Sequence, residues 1–594
     1  MMNELPQELI ERISSFLPRE DLRSVLTLHS KFRFAAERHS GAFAEFTVTE
    51  NNSADFLTRF SGHRLLYLRE VTFRPDVSAK YDLKGNEVDD DDGSDDDDDD
   101  DDVDEDDDRV FCRESADEVR ERDESFTRQM QFLFDILQRV EKQAGKYHAP
   151  GRYRLTIYNP IRRTENKDAC PHRYMTSWRV RLLAKDLPPI ASIRSFRIVS
   201  NDRKGYEYEY PPWDEYAYTY RLRDNYSEMQ ESKLDLRVLI DLATSMPNLE
   251  YLGTRTGGYE WCETLDEEED PCSGHYEHDW AGPRRDARHD FAAAVTSCVD
   301  KLPKTLRRAT LDFLYPLSRV TDYDHGTLFP DLVGSNLTHD PFSSSLGILC
   351  NNLRHLQLRA MIDESIFPAL SPQNPATSHT PWPHLELLDL MFHNARPDGT
   401  WYFQGTDGRG DVARGLPVTD ASYPPYSRTQ FDEDMDEYYV ENIRGGRQTR
   451  GKDNYEFRIA PHANLISLLE RFARAAIQMP ALKEAVIWSP IKGQDVYPER
   501  PMGRQRDLDV IWGIDYAEPR PSINAGSTRQ LDWLVGNWRP GKELHSLFQE
   551  IGRAKHGDEL AEHWYQDDEW DRWGYLYEVE HAAKERFRNY GKCV

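Results

Sequence analysis

The chain has 594 residues, and its 38% hydrophobic and 11% aromatic content supplies enough apolar side chains for packed cores, which excludes a wholly disordered protein. The net charge of −31 comes largely from residues 89–108, which contain 17 acidic side chains and no basic one. The remaining chain is mildly acidic and has no clustered basic face, so nucleic acid is not an expected partner.

The first 40 residues predict a pair of short amphipathic helices. Pro6 suits a first helical turn, because its missing N–H would have no partner there, and Pro18 ends the helix. The apolar residues of this helix share one stripe, at Leu9, Ile13, Phe16 and Leu17. Those of the second helix are expected to face the first, at Leu22, Val25, Leu26 and Phe32. Helices this short are marginal alone, so another domain or another protein must cover them.

This segment resembles the F-box, whose pattern is a Leu-Pro-x-Glu-Leu opening, an Ile four residues after the second Leu, and then Leu-Pro and Asp-Leu. The residues that match position by position are Leu5, Pro6, Glu8, Leu9, Ile13, Leu17, Pro18, Asp21, Leu22 and Val25. The match spans about residues 4–40. It departs from the pattern at His29 and Phe32, where the family more often has a small or apolar residue and a Trp.

The resemblance implies that these helices, residues 1–42, hold the small Skp-type adaptor of cullin-RING ubiquitin ligases. The residues expected to contact the adaptor, or to support that contact directly, are Leu5, Pro6, Leu9, Ile13, Leu17, Leu22 and Val25. The alternative is an ordinary amphipathic helix pair that caps the next domain.

Residues 43–86 predict the first repeat-like units, with strand-like runs at 43–48 and 68–73 around a helical stretch. Like charges in the acidic run repel one another, so residues 87–115 are expected to form a solvated, disordered insertion. Such a run could attract basic proteins such as histones, but it lacks the register of a calcium-binding loop.

Beyond the insertion, a helix followed by a short strand recurs several times between residues 116 and 500. Residues 353–358 and 385–390 both read L-x-x-L-x-L, a spacing typical of leucine-rich repeats that places two leucines on one strand face. The predicted fold class is therefore α/β, with F-box helices followed by an irregular leucine-rich-repeat-like solenoid of mainly parallel strands with long insertions. An unrelated α/β domain with buried strands is the alternative.

Two later segments complete the predicted organisation. Residues 404–455 are rich in Gly, Asp, Arg and Tyr and predict a long loop within the repeat region. Residues 501–594 predict an aromatic-rich C-terminal cap that closes the last repeat, with Trp512, Trp533 and Trp538. Residues 397–403 and 531–540 are similar to stretches of large fungal F-box proteins of unassigned role.

Residues that could carry chemistry are sparse. Two thiols and two imidazoles could hold a zinc ion, at Cys262, Cys272, His275 and His278. Their spacing is not that of a zinc finger, so we predict neither a metal nor a cofactor. Walker, nucleophile-elbow, zincin and dinucleotide-binding motifs are missing from the sequence, which favours a protein that is not an enzyme.

The sequence also carries an expectation about compartment. No run approaches the roughly 20 consecutive apolar residues of a membrane helix, and the first ten residues lack the basic start of a signal peptide. Seven cysteines without a CxxC pair indicate reduced thiols. We therefore expect a protein of the cytoplasm, the nucleus or both, without membrane contact.

The expected function is that of a substrate-recognition adaptor of an SCF-type ubiquitin ligase. The N-terminal helices would bind a Skp-type adaptor and through it a cullin. The repeat domain would bind a protein target whose identity and contact residues the sequence does not specify. The alternatives are a non-degradative interaction scaffold, a histone-binding protein that uses the acidic tract, and an unrecognised hydrolase.

Overall fold

The structure is a computed structural model that describes most of the chain. The described residues are 5–78, 113–163, 178–184, 186–200, 229–255, 280–314, 329–368, 380–404, 414–427, 429–430, 432–434, 460–461, 463–493, 508–519, 528–536 and 538–565. The predicted acidic insertion 87–115 lies outside them except for its last three residues, and so do the four possible zinc ligands, Cys262, Cys272, His275 and His278.

Helices occur along the whole described chain, and most of them precede or follow a strand of one large sheet. They are α1 (Gln7–Ser15), α2 (Arg19–Val25), α3 (Ser30–His39), α4 (Ser53–Arg59), α5 (Ala116–Ala144), α6 (Arg237–Ala243), α7 (Ala281–Cys298), α8 (Pro341–Leu349), α9 (Ala463–Ile477), α10 (Lys542–Glu550) and α11 (Arg553–His556). Short 3₁₀ segments lie at Gly62–Tyr67, Gly145–Tyr147, Val299–Lys301, Cys350–Asn352, Glu364–Ile366 and Asp420–Ser422.

Among the described residues, twelve strands form the large sheet. They are β1 (Glu45–Val48), β2 (Glu70–Phe73), β3 (Tyr153–Tyr158), β4 (Ile193–Val199), β5 (Tyr251–Arg255), β6 (Arg308–Asp312), β7 (His355–Ala360), β8 (Leu387–Phe392), β9 (Glu484–Gly493), β10 (Leu508–Ala517), β11 (Arg529–Leu534) and β12 (Leu560–Trp564). Three small two-stranded pairs join Ile161–Arg163 to Met229–Glu231, Pro330–Asp331 to Leu416–Pro417, and Phe403–Gln404 to Ala460–Pro461.

The strands lie in the sheet in the same order as in the chain. Every pair from β1 to β9 is parallel, β10 is antiparallel to both of its neighbours, and β11 and β12 are parallel. Parallel crossovers are right-handed, so a chain that always advances in one direction places its connecting helices on the same face. The prediction of an α/β fold with mainly parallel strands is confirmed.

One continuous core lies between that face and the helices. It combines alternate strand residues, such as Leu155 and Ile157, with the apolar faces of α5 to α10, and Phe134, Phe291 and Phe472 belong to it. The leucines of both L-x-x-L-x-L runs are buried, and Leu356 and Leu358 of β7 stand in register with Leu388 and Leu390 of β8. The leucine spacing therefore places these side chains in the core, as predicted.

The opposite face of the sheet carries a row of mostly polar residues at matching register. The row is Thr47, Thr72, Thr156, Arg197, Gly253, Thr310, Gln357, Asp389, Val486, Asp515, Asp532 and His563. Neighbours in the row bond across strands: the hydroxyls of Thr47 and Thr72 lie 2.7 Å apart, and Arg197 Nε donates to Thr156 Oγ1 at 2.9 Å. These cross-strand pairs stabilise the sheet on the face opposite its described helices.

The described residues between 414 and 434, part of the segment predicted as a long loop, are fastened to distant parts of the chain by specific contacts. Tyr423 donates its hydroxyl to Asp286 at 2.7 Å, and the ring of Tyr426 stacks on Trp178 with centroids 4.8 Å apart. Asp432 forms a buried ion pair with Arg113 at 2.8 Å. Arg113 is one of the last residues of the predicted acidic insertion, so that end of the insertion is packed and not solvated.

The aromatic residues predicted for a C-terminal cap are part of the same sheet. Trp512 on β10 and Trp533 on β11 are fully buried, and the Trp533 ring stacks on Trp564 with centroids 4.6 Å apart. Trp538 packs against Trp512 with centroids 5.6 Å apart. The C-terminal region therefore extends the sheet by three strands, and α10 covers them through Phe548.

Candidate protein-docking surface

The N-terminal helical module, defined as residues 5–39, buries little apolar surface of its own. Its core consists of Ile10, Val25, Phe32 and Ala35, with Leu5 and Leu17 packed against it. Helix α1 turns Ile10 and Ser14 inward, towards α3. The side chains at i, i+4 and i+7 on its other side, Leu9, Ile13 and Phe16, are 49%, 46% and 77% exposed.

These three exposed residues form one face of the helix, because positions three and four apart are neighbours on a helix surface. We call Leu9, Ile13 and Phe16 the docking stripe. Single exposed apolar residues are ordinary on protein surfaces, whereas a row of three on one helix face is a candidate interaction surface. Covering each of them would contribute about 1 to 2 kcal/mol to association.

The remaining predicted contact residues are split between surface and core. Pro6 is exposed and lies just before α1, with extended backbone at φ −55° and ψ 147°. Leu5 and Leu17 are half-buried at the margin of the small core. Leu22 and Val25 are buried within the module, a position that suits direct support of the contact, the second of the two predicted roles.

Two further exposed leucines follow α2 and were not predicted to be accessible or functional. Leu26 and Leu28 are 38% and 56% exposed, although Leu26 was expected to face the first helix. That expectation was wrong because α2 ends at Val25 and the chain turns before α3, so helical spacing no longer decides where Leu26 points. Helical periodicity does not predict whether an apolar pair directly after a short helix is buried or exposed.

Polar contacts hold α1 on α3 and compensate for the small core. Lys31 Nζ donates to the Leu5 carbonyl at 3.1 Å near the start of α1. At the other end of α3, Arg38 forms an ion pair with Glu11 at 2.8 Å. These contacts fix the helix by its flanks and leave the docking stripe on the opposite side without a described covering.

Other surfaces of the described residues offer weaker candidates. A cavity of about 740 Å³ lies between the segment that follows α7 and helix α8, and its lining includes Val299, Leu302 and Ile348. A polar cavity of about 220 Å³ contains Arg396 and Arg414, which already pair with acidic residues at 3.1 and 2.7 Å. Within the described part of the chain, no group of three or more His, Cys, Asp or Glu side chains could hold a metal ion.

Among the described residues, no helix is both long enough and apolar enough to span a lipid bilayer. No protein-family model matches the chain, and no curated protein matches its sequence.

Proposed function

We propose that this protein is a substrate-recognition adaptor of an SCF-type ubiquitin ligase and that its N-terminal module is an F-box. One observation carries the proposal: the apolar stripe of α1 faces outward, while the module's own core is built from other residues. An amphipathic helix that evolved only to cap the next domain would turn its apolar stripe towards that domain. The docking stripe instead suits a second protein.

The sheet supplies the second half of the proposed receptor. Strands that follow chain order, with helices on one face and buried leucines in register, support an irregular leucine-rich-repeat-like solenoid. The protein would bind the Skp-type adaptor, and through it a cullin, at one end and a protein target along the solenoid. Holding both raises the effective concentration of the target near the ubiquitin-charged enzyme, so this chain needs no chemistry of its own.

Copurification with a Skp-type adaptor tests the proposal. The full-length chain should retain the adaptor, and the double variant Leu9→Asp plus Ile13→Asp should lose it. Burying two carboxylates against an apolar partner surface costs several kcal/mol, so we expect affinity to fall by at least about a hundredfold. Circular dichroism and thermal melting should stay close to wild type, because both side chains are about half exposed.

A matched control uses apolar residues of similar exposure elsewhere. Val299 and Ile348, at 45% and 43%, lie on the helical side of the sheet, and their double Asp variant should bind the adaptor normally. A stable wild-type protein that retains no adaptor would contradict the proposal. Adaptor retention without assembly of a cullin would favour a non-degradative scaffold.

A further inference from the structure

We propose that Glu37 is the positioning residue that fixes the N-terminal module on the sheet in one orientation, and so sets the direction in which the docking stripe faces. The consequence for an adaptor rests on the proposed function. The orientation itself is a property of this chain and can be measured without a partner.

The geometry centres on one buried carboxylate. Glu37 lies on α3 and is only 5% exposed. Its Oε1 accepts from Arg64 at 2.7 Å, and its Oε2 accepts from His63 Nε2 at 2.9 Å. Both donors belong to the 3₁₀ segment Gly62–Tyr67, which runs directly into β2. A single side chain thus joins the module to the start of the sheet through two hydrogen bonds.

Aromatic side chains enclose this junction from both sides. The ring of Phe34, also on α3, lies 4.2 Å from the His63 ring between centroids. The guanidinium of Arg64 lies 4.6 Å above the ring of Phe43, just before β1. These contacts restrict the rotamers of both donors, so the hydrogen bonds to Glu37 have little freedom to follow a rotating module.

The charge of Glu37 makes the junction directional. Burial raises the pKa of this carboxyl, but the hydrogen bonds from Arg64 and His63 outweigh it, and the pKa lies below its ordinary value. The group is therefore an ionised acceptor at neutral pH. Apolar packing is non-directional, whereas charge-assisted hydrogen bonds from two fixed donors specify an angle as well as a distance.

The connection between α3 and β1 is short, and Arg59 holds it by donating to the Ala42 carbonyl at 2.8 Å. It runs from Ser40 to Ala44 and includes Gly41 at φ +68°, a left-handed conformation that glycine adopts without strain. A Cβ at Gly41 would meet nothing within 4 Å, so the turn is open to solvent. The linker brings the module close to the sheet, and Glu37 selects the orientation.

Pulsed electron paramagnetic resonance tests this directly. Spin labels on genetically encoded unnatural amino acids at Arg12 and Asp135, both exposed, would report the distance between α1 and α5 in the full chain. Wild type should give one narrow distance peak. Glu37→Ala should lose that peak in favour of a broad or multiple distribution, and Glu37→Gln should give a smaller broadening.

The matched control is Glu11→Gln, because Glu11 also forms an ion pair with an arginine but within the module. It should leave the narrow peak unchanged. If Glu37→Ala does not fold, Arg64→Ala replaces it, since that side chain is 35% exposed. An unchanged narrow peak in both Glu37→Gln and Arg64→Ala would overturn the proposal.

Adaptor binding separates this inference from the proposed function. Glu37 is buried at the junction and is not one of the docking-stripe residues, so its variants should bind a Skp-type adaptor within about twofold of wild type. Failure of wild type to bind the adaptor would contradict the proposed function and leave the distance measurement intact. A folding role alone would lower the melting temperature without widening the distance distribution at low temperature.

Discussion

The N-terminal module and the paired strands β7 and β8 differ in where they place their regularly spaced apolar side chains. In the strands, the leucines at the three L positions of each L-x-x-L-x-L run are buried, and Leu356 and Leu358 of one strand stand in register with Leu388 and Leu390 of the next. In the module, the helix α1 turns its most regular apolar stripe outward and uses Ile10 for its own core. Apolar side chains at regular spacing serve folding in one region and are available for association in the other.

The largest expected effect is on the sheet. Leu390 is fully buried beside Leu358, so Leu390→Ala removes core contacts and leaves a cavity that its packed neighbours cannot close. We expect a loss of about 3 to 4 kcal/mol, measured as a lower midpoint in urea unfolding followed by tryptophan fluorescence. A loss below about 1 kcal/mol would show that the leucine ladder is not a tight core.

The difference between the two regions also shows how much about burial the local sequence pattern can predict. The spacing of Leu356 and Leu358 predicts their burial correctly, because a strand has a period of two and its covered face must be apolar. In α1 the helical spacing predicts that the apolar residues share one face, but it does not predict whether that face points inward or outward. That side depends on where α3 packs, and α3 was not predicted as a separate helix, although His29 caps it by accepting from the Lys31 N–H.

Contacts between distant residues account for most of what the sequence did not reveal. Glu37 and its donors lie 26 and 27 positions apart, and Tyr426 reaches Trp178 across almost 250 residues of chain. No periodicity links such partners, so neither the orientation of the module nor the fastening of 414–434 could be predicted. The mixed α/β class and the parallel strands could be predicted, because helix and strand periodicities are properties of local sequence.

The second-largest expected effect is on the pH dependence of stability, where two buried carboxylates have pKa values shifted in opposite directions. Burial raises the pKa of Asp123 on α5 to about 6, although Arg122 opposes the shift, whereas the pKa of Glu37 is lowered. Ionised Asp123 therefore costs stability above about pH 6, and that cost disappears as the pH falls towards its ordinary value of 3.8. Asp123→Asn should stabilise the protein by up to about 3 kcal/mol at pH 7 and by little at pH 4.

Thermal unfolding over a pH series measures this contrast, with Glu37→Gln as the opposite case. The contribution of Glu37 is present above its ordinary pKa and is lost as the pH falls through its lowered value, so this variant should be less stable at pH 7 and closer to wild type in acid. Parallel pH curves for Asp123→Asn and wild type would contradict the assignment of a raised pKa.

A third effect concerns the small core of the module. Ile10→Ala empties a site that is fully buried between α1 and α3. We expect a cost of about 2 kcal/mol, at the low end for such changes because the apolar cluster around Ile10 is small. Hydrogen exchange should then rise in residues 7–39 and stay at wild-type rates in β7 and β8. Faster exchange throughout the sheet would mean that the module and sheet unfold as one unit.

The smallest effect on stability is expected at the docking stripe. Leu9→Ala removes a side chain that is half exposed in the isolated chain, so unfolding should change by less than about 0.5 kcal/mol. The same variant should weaken adaptor binding by about tenfold, because the lost contact exists only in the complex. A stability loss like that of Leu390→Ala would indicate that Leu9 belongs to the internal core.

Hydrogen exchange of the full chain with and without a Skp-type adaptor tests the central claim most directly, namely that the outward face of α1 is covered by another protein. We predict slower exchange in residues 5–17 on adding the adaptor, with β7 and β8 unchanged. Unchanged exchange along α1 at saturating adaptor would contradict the account.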